Sequence, residues 1–107
     1  MNQERRKALQ AEIDNLNNAK ETFEEAKNTY ESAIEEAKSN IESLKDEETE
    51  YYDNMPESFQ NADKGSMAQD AINALEEAIG TLDNFESIEV DFDVIDSATG
   101  SIEEAIG

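Results

Sequence analysis

The chain has 107 residues, with 28 Asp plus Glu against 8 Lys plus Arg, a formal charge of −20, and neither His nor Cys. That length admits one small helical domain. The missing thiols and imidazoles exclude a disulfide framework, a thiolate nucleophile and any Cys or His metal site, and the charge repels nucleic acid and anionic lipid across a Debye length of ~8–10 Å.

Residues 1–54 read as one long helix. Glycine and proline are absent up to Pro56, and apolar side chains recur with 4-3 spacing, so about 50 residues at ~1.5 Å rise make a rod of roughly 75 Å. One seam row is Leu9, Leu16, Phe23, Tyr30, Ala37, Leu44 and Tyr51; the other is Ile13, Lys20, Lys27, Ile34, Ile41, Glu48 and Met55. Beside the two lysines the apolar character moves one position back, to Ala19, Ala26 and Ala33, which predicts a buried stripe that drifts around the helix in its middle. Lysine stems can lie along such a seam with their ammonium groups at its edge, where acidic side chains of a second arm pair with them.

Residues 55–65 form a corner. Asn54 tolerates the left-handed backbone that often ends a helix, and Met55, before proline, is pushed toward an extended conformation. Pro56 suits the first position of a new helix, with Glu57 at its positive end, so a short turn from Pro56 to Asn61 is expected before Asp63-Lys64-Gly65 breaks it.

Ser66-Met67-Ala68-Gln69 reads as a capping box opening a return helix over 66–86, whose rhythm is Ala71, Leu75, Ala78, Leu82 and Phe85 with Ile72 and Ile79 alongside. Gly80 inside it costs roughly 1 kcal/mol relative to alanine and marks either close contact with another backbone or an exposed face. A break is expected at 87–91, with Asp91 capping a final helix over 92–106. Ile88, Val90, Phe92 and Val94 also alternate with Glu89, Asp91 and Asp93, so a strand pairing across a homodimer is the competing reading. These elements predict an all-α fold: a long helical hairpin, antiparallel and coiled-coil-like, that assembles into a helical-bundle oligomer, with a homodimer favoured.

No constellation carries catalysis. Acid–base work by Asp or Glu needs burial or a neighbour that separates two pKa values, whereas these carboxylates fall on expected solvent faces. Asp91, Asp93 and Asp96 fail as a calcium loop, because the sixth position is Asp96 where glycine is expected and the twelfth is Ile102 where a bidentate Glu is needed. The expectation is no enzyme activity, no metal and no cofactor.

Tyr51-Tyr52-Asp53-Asn54-Met55-Pro56-Glu57, then Gln60 and Leu75-Glu76-Glu77-Ala78-Ile79, resembles a group of small acidic helical proteins from tailed phages, prophages and their bacterial hosts. Those proteins share an acidic stretch running into tyrosine, Asp-Asn-Met-Pro-Glu and Leu-Glu-x-Ala repeats. The similarity covers roughly residues 41 to 82. It implies a phage-like origin, with no known activity to carry over. Relatives often have Asn-Leu after the Glu of the corner, where this chain has Ser58-Phe59.

Function is therefore expected to be binding. The leading reading is an acidic protein that blocks or sequesters a host protein through a basic surface on that partner, as an anti-defence inhibitor does. It needs no direct nucleic acid and no membrane. The start, Met1 to Lys7, is basic but lacks the apolar run of a signal peptide, so the host cytoplasm is the expected location. Candidate partner-binding residues are the corner cluster Tyr51, Tyr52, Met55 and Phe59 and the acidic set Asp83, Glu86, Glu89, Asp91, Asp93 and Asp96. Mimicry of nucleic acid is one version: duplex DNA carries one charge per ~1.7 Å, about 44 over 75 Å, against a net 20 here, so mimicry requires a dimer. A structural protein that only self-associates through its hairpin is the alternative.

Overall fold

The computed structural model describes residues 1–107 as four helices without a strand: α1 (Gln3–Asp53), α2 (Glu57–Gln60), α3 (Asp63–Asp83) and α4 (Asp93–Ile106). The protein is all-α and built on helical hairpins. No helix is long and apolar enough to cross a membrane. The chain forms two compact units, residues 1–30 with 88–107 and residues 31–87.

α1 starts at Asn2, whose side-chain Oδ1 accepts the Arg5 N–H at 2.8 Å, satisfying one of the free donors of the first turn. With neither glycine nor proline to interrupt it, the helix then runs 51 residues. Its covered row begins with Leu9, Ile13, Leu16 and Lys20 and ends with Ile41, Lys45, Glu48, Tyr52 and Met55. From Leu9 to Tyr52 is twelve turns of a straight 3.6-residue helix, whereas a strict heptad would lead from Leu9 to Tyr51. The covered row therefore advances by one residue over the helix, and Tyr30, Leu44 and Tyr51 rotate into solvent. This corrects the backward drift expected from the alanines: Ala19, Ala26 and Ala33 are exposed.

In the first unit α4 runs antiparallel to α1. Lys20 Nζ lies 3.3 Å from Asp96 Oδ1 and 5.0 Å from the centre of the Phe92 ring, and Phe92 meets Phe23 edge-to-face at 6.1 Å. That register sets Thr99 opposite Leu16, Ile102 opposite Ile13 and Ile106 opposite Leu9. Ile13 is 2% exposed and Thr99 8%; full burial of such an isoleucine contributes about 2 kcal/mol. Thr99 satisfies its hydroxyl locally by donating to the Asp96 carbonyl at 3.0 Å. The N-cap position of α4 falls on Phe92 rather than on the expected Asp91 and carries no side-chain cap; Asp91 stands one residue earlier, where its Oδ1 accepts the Asp93 N–H at 2.8 Å. Residues 85–92 have no regular structure, so the helix starts as expected and the strand-like alternation forms no strand within the chain.

In the second unit the latter part of α1 pairs with α3 through the corner. α1 closes without a left-handed residue, since no non-glycine residue has positive φ. Instead the Met55 N–H donates to the Tyr52 carbonyl at 3.1 Å, and Gln60 Nε2 donates to the same oxygen at 3.0 Å. Pro56 precedes α2 with φ −57° and ψ 146°, extended rather than in the first helical position, and α2 otherwise falls within the expected turn.

The capping box at Ser66 does not form. α3 begins at Asp63 behind an extended Ala62, and the Ser66 N–H already donates to the Ala62 carbonyl at 3.1 Å. Tertiary packing overrides the local signal here. Gly65 is buried, and a Cβ on it would be driven into the backbone of Gln60, so this glycine lets α2 and α3 touch within the first turn of α3 rather than breaking the chain. Gly80 has open space around it, the exposed-face reading. α3 ends at Asp83, earlier than Phe85, with Asn84 N–H donating to Thr81 at 3.2 Å and Phe85 N–H to Leu82 at 3.1 Å. Its covered row is Ala68, Ile72, Leu75, Ile79 and Leu82, so Ala71 lies outside the row assigned to it by rhythm.

Candidate partner-binding surface

The corner cluster divides. Tyr51, Met55 and Phe59 line one hollow of about 350 Å³ together with Asn54, Pro56 and Lys64. Tyr52 does not join them. It is half-buried, and its backbone carbonyl holds the corner closed. Tyr51 and Phe59 are 53% and 51% exposed, too exposed to serve as the closing core of the turn.

Two further hollows lie along the same unit. One of about 340 Å³ is lined by Glu48, Tyr51, Lys64, Met67, Ala68 and Ala71. Another of about 600 Å³ is lined by Ala37, Ile41, Ala74, Glu77, Ala78, Thr81 and Leu82. Of the lining residues, Ala37, Ile41, Glu48 and Tyr51 of α1 recur at heptad-like spacings, with Met55 just beyond its end, as do Met67, Ala71, Ala74, Ala78 and Leu82 of α3, so each set occupies one helix face. The three hollows thus form one groove between α1 and α3. Its floor is rich in alanine and its rim carries Tyr51, Phe59 and Met67, the last 71% exposed. The groove exists because the seam row has rotated outward along α1 while the α3 face opposite it is built largely on Ala68, Ala71, Ala74 and Ala78.

Sequence reasoning found the corner end of this groove and missed Lys64, Met67, Ala71 and Ala74. A signal was present: Met67, Ala71, Ala74 and Ala78 form a second apolar face on α3 beside the covered one. Without the register between the two arms, nothing indicated that the face would stay open.

The acidic set does not act as one patch. Asp83 and Glu86 belong to the second unit and Glu89, Asp91, Asp93 and Asp96 to the first. Asp83 Oδ1 lies 2.9 Å from Lys38 Nζ, which also reaches Glu35 at 3.6 Å. The hydrogen bond to Asp83 is the main reason the Lys38 ammonium sits above the ordinary lysine value, opposed by desolvation and assisted by the fields of both carboxylates. Asp96 is engaged by Lys20 and Asp91 by the Asp93 N–H. Three of the six candidates thus have partners within the chain, and Glu86, Glu89 and Asp93 are left to solvent.

Across the chain 26 of the 28 carboxylates are exposed, Glu31 and Glu48 are half-buried and none is buried. No group of three acidic side chains is placed to hold a metal ion. The second unit carries 16 acidic and 3 basic residues, net −13, and the first 12 and 5, net −7. No protein-family model, curated protein or solved structure matches the chain.

Proposed function

We propose that this protein is a non-enzymatic acidic binding protein that occupies a basic surface on a partner protein and thereby blocks or sequesters it. The observation that carries this reading is the placement of its charge: 26 of 28 carboxylates face solvent, where they contribute little to folding and act together as a field that steers cations. The phage-like corner makes a host protein in the cytoplasm the natural target, and an anti-defence role follows from that origin.

The test is capture of partners from a bacterial host lysate, followed by titration of the purified partner over a salt series. Affinity should fall steeply with salt. Neutralising Glu42, Glu47, Glu50, Asp53, Asp70 and Glu76, which have no intramolecular ion pair, should weaken binding at least tenfold with the helical signal intact. This set replaces the six sequence candidates, whose members Asp83, Asp91 and Asp96 already have partners within the chain. Equal binding by the neutral variant, with no dependence on salt, would reject the reading. Competition by duplex DNA for the same partner would narrow it to mimicry.

A further inference from the structure

We propose that the groove of the second unit is filled by the same groove of a second copy, so that two hairpins pack as an antiparallel pair about a two-fold axis. This goes beyond whatever the acidic surface binds and stands or falls separately.

The first argument is area. The chain exposes 7978 Å², whereas a folded monomer of 11.9 kDa exposes about 6000 Å². The surplus of roughly 2000 Å² per copy is ample for a stable homodimer, whose interfaces bury about 1000 Å² or more per partner. Burial inside the chain is correspondingly thin, with Ile13 and Ala68 the only buried hydrophobic residues. The groove gathers three of the large exposed side chains, Tyr51, Phe59 and Met67, beside a floor rich in alanine. Large rim groups beside small floor groups let two copies interdigitate at close backbone approach, as the layers of a four-helix bundle do.

The second argument is charge. Lys64 makes no ion pair within its own chain and stands at the corner end of the groove, while Glu77 stands at the other end. An isologous antiparallel contact brings the Lys64 end of each copy to the Glu77 end of its partner. Near the middle, Glu48 approaches its own counterpart. That repulsion, with the net −13 of each unit, opposes association and is screened by salt. Self-association through this groove therefore strengthens with salt, opposite in sign to capture of a cationic partner.

The experiment is light scattering on a sizing column at micromolar protein, from low to high salt. Wild type is expected at twice the 11.9 kDa chain mass, with association tightening as salt rises. Glu48→Gln should tighten it several-fold at low salt. Ala71→Glu, which buries a charge in the floor only when the copies meet, should leave monomer. Lys64→Glu should weaken the dimer and Lys64→Glu with Glu77→Lys should restore it. Because the chain has no cysteine, location can be checked independently of stability: Ala71→Cys should be joined to its own copy by a short bismaleimide, while Asn73→Cys, on another face of α3, should not. A monomer mass in high salt, cross-linking at Asn73 as efficient as at Ala71, or a dimer that survives Ala71→Glu would each overturn the proposal.

Discussion

The two units use the same helix in opposite ways. In the first, α1 lays its seam against α4 and covers it: Leu9, Ile13 and Leu16 face a partner arm, and Lys20 bridges to Phe92 and Asp96. In the second, the equivalent row has turned outward, with Leu44 at 56% exposure, and the partner arm meets α1 through the neighbouring row instead. The sequence keeps a seven-residue apolar repeat while the helix keeps 3.6 residues per turn, and the mismatch of ~20° per heptad accumulates until one whole row is free. A single repeat thus produces a closed packing surface at one end of a helix and an open groove at the other, with no change in composition.

The difference can be broken most sharply at Ile13. Ile13→Ala removes the most buried side chain of the first unit and should cost about 2–4 kcal/mol. Hydrogen exchange should show protection lost in α4, while α2 and α3 remain protected. Protection lost equally in both units would mean that they do not unfold separately.

The second unit has its own sensitive point. Gly65→Ala forces a methyl group into the Gln60 backbone, and a shift of the α2–α3 contact should cost about 1–3 kcal/mol, read as a lower midpoint in thermal melts. Gly80→Ala is the control in the same helix: nothing lies near the added methyl, so the variant should gain about 0.5–1 kcal/mol from helix propensity and reduced unfolded-state entropy. Opposite signs at these two glycines would distinguish a packed glycine from a merely tolerated one.

At the entry to α4, Asp91→Ala removes the side chain that accepts the Asp93 N–H and should cost about 1 kcal/mol. Asp91→Asn keeps an acceptor oxygen and should recover most of it. The effect should be confined to the first unit, as judged by exchange at the first turn of α4.

The smallest expected effect is a pH dependence limited to the second unit. The Lys38 pKa is raised in the folded state above its ordinary 10.5, so the contribution of its pair with Asp83 is complete below the unfolded value and is lost as pH rises through the folded one. Comparison of melts for wild type and Lys38→Met should show a stability difference that is constant at neutral pH and shrinks in the alkaline range. A difference that changed between pH 5 and 8 would point to some other group.

Much of this was legible in the chain. The uninterrupted α1, the corner at Pro56, the break before α4 and the lysine held at the seam edge all depend on interactions within a few residues or on a charge that has nowhere else to go. Two readings went astray for physical reasons. Ser66 to Gln69 is a good local cap, but the contact between Gly65 and Gln60 fixes the start of α3 three residues earlier, and long-range packing prevails over a hydrogen bond worth about 1 kcal/mol. The alanines at 19, 26 and 33 look like a close-packing row only if the helix supercoils to follow them; a straight helix turns the other way. The corner half of the groove was visible in Tyr51, Met55 and Phe59, whereas the alanine half depends on how α3 is rotated against α1, which a one-dimensional rhythm does not contain.

The corner itself reverses the chain with every residue in ordinary right-handed or extended backbone and no glycine at positive φ. Its geometry rests on a proline, on one carbonyl that accepts two donors and on a glycine set back inside α3. Of these only Pro56 also lines the corner hollow; the side chains of Tyr51 and Phe59, which give that hollow its aromatic surface, take no part in closing the turn. The shape of the turn and the chemistry of its surface are therefore separable traits. Substitutions at Tyr51, Ser58 or Phe59 can change the surface of this end of the molecule at little cost to folding, while the scaffold beneath it stays fixed.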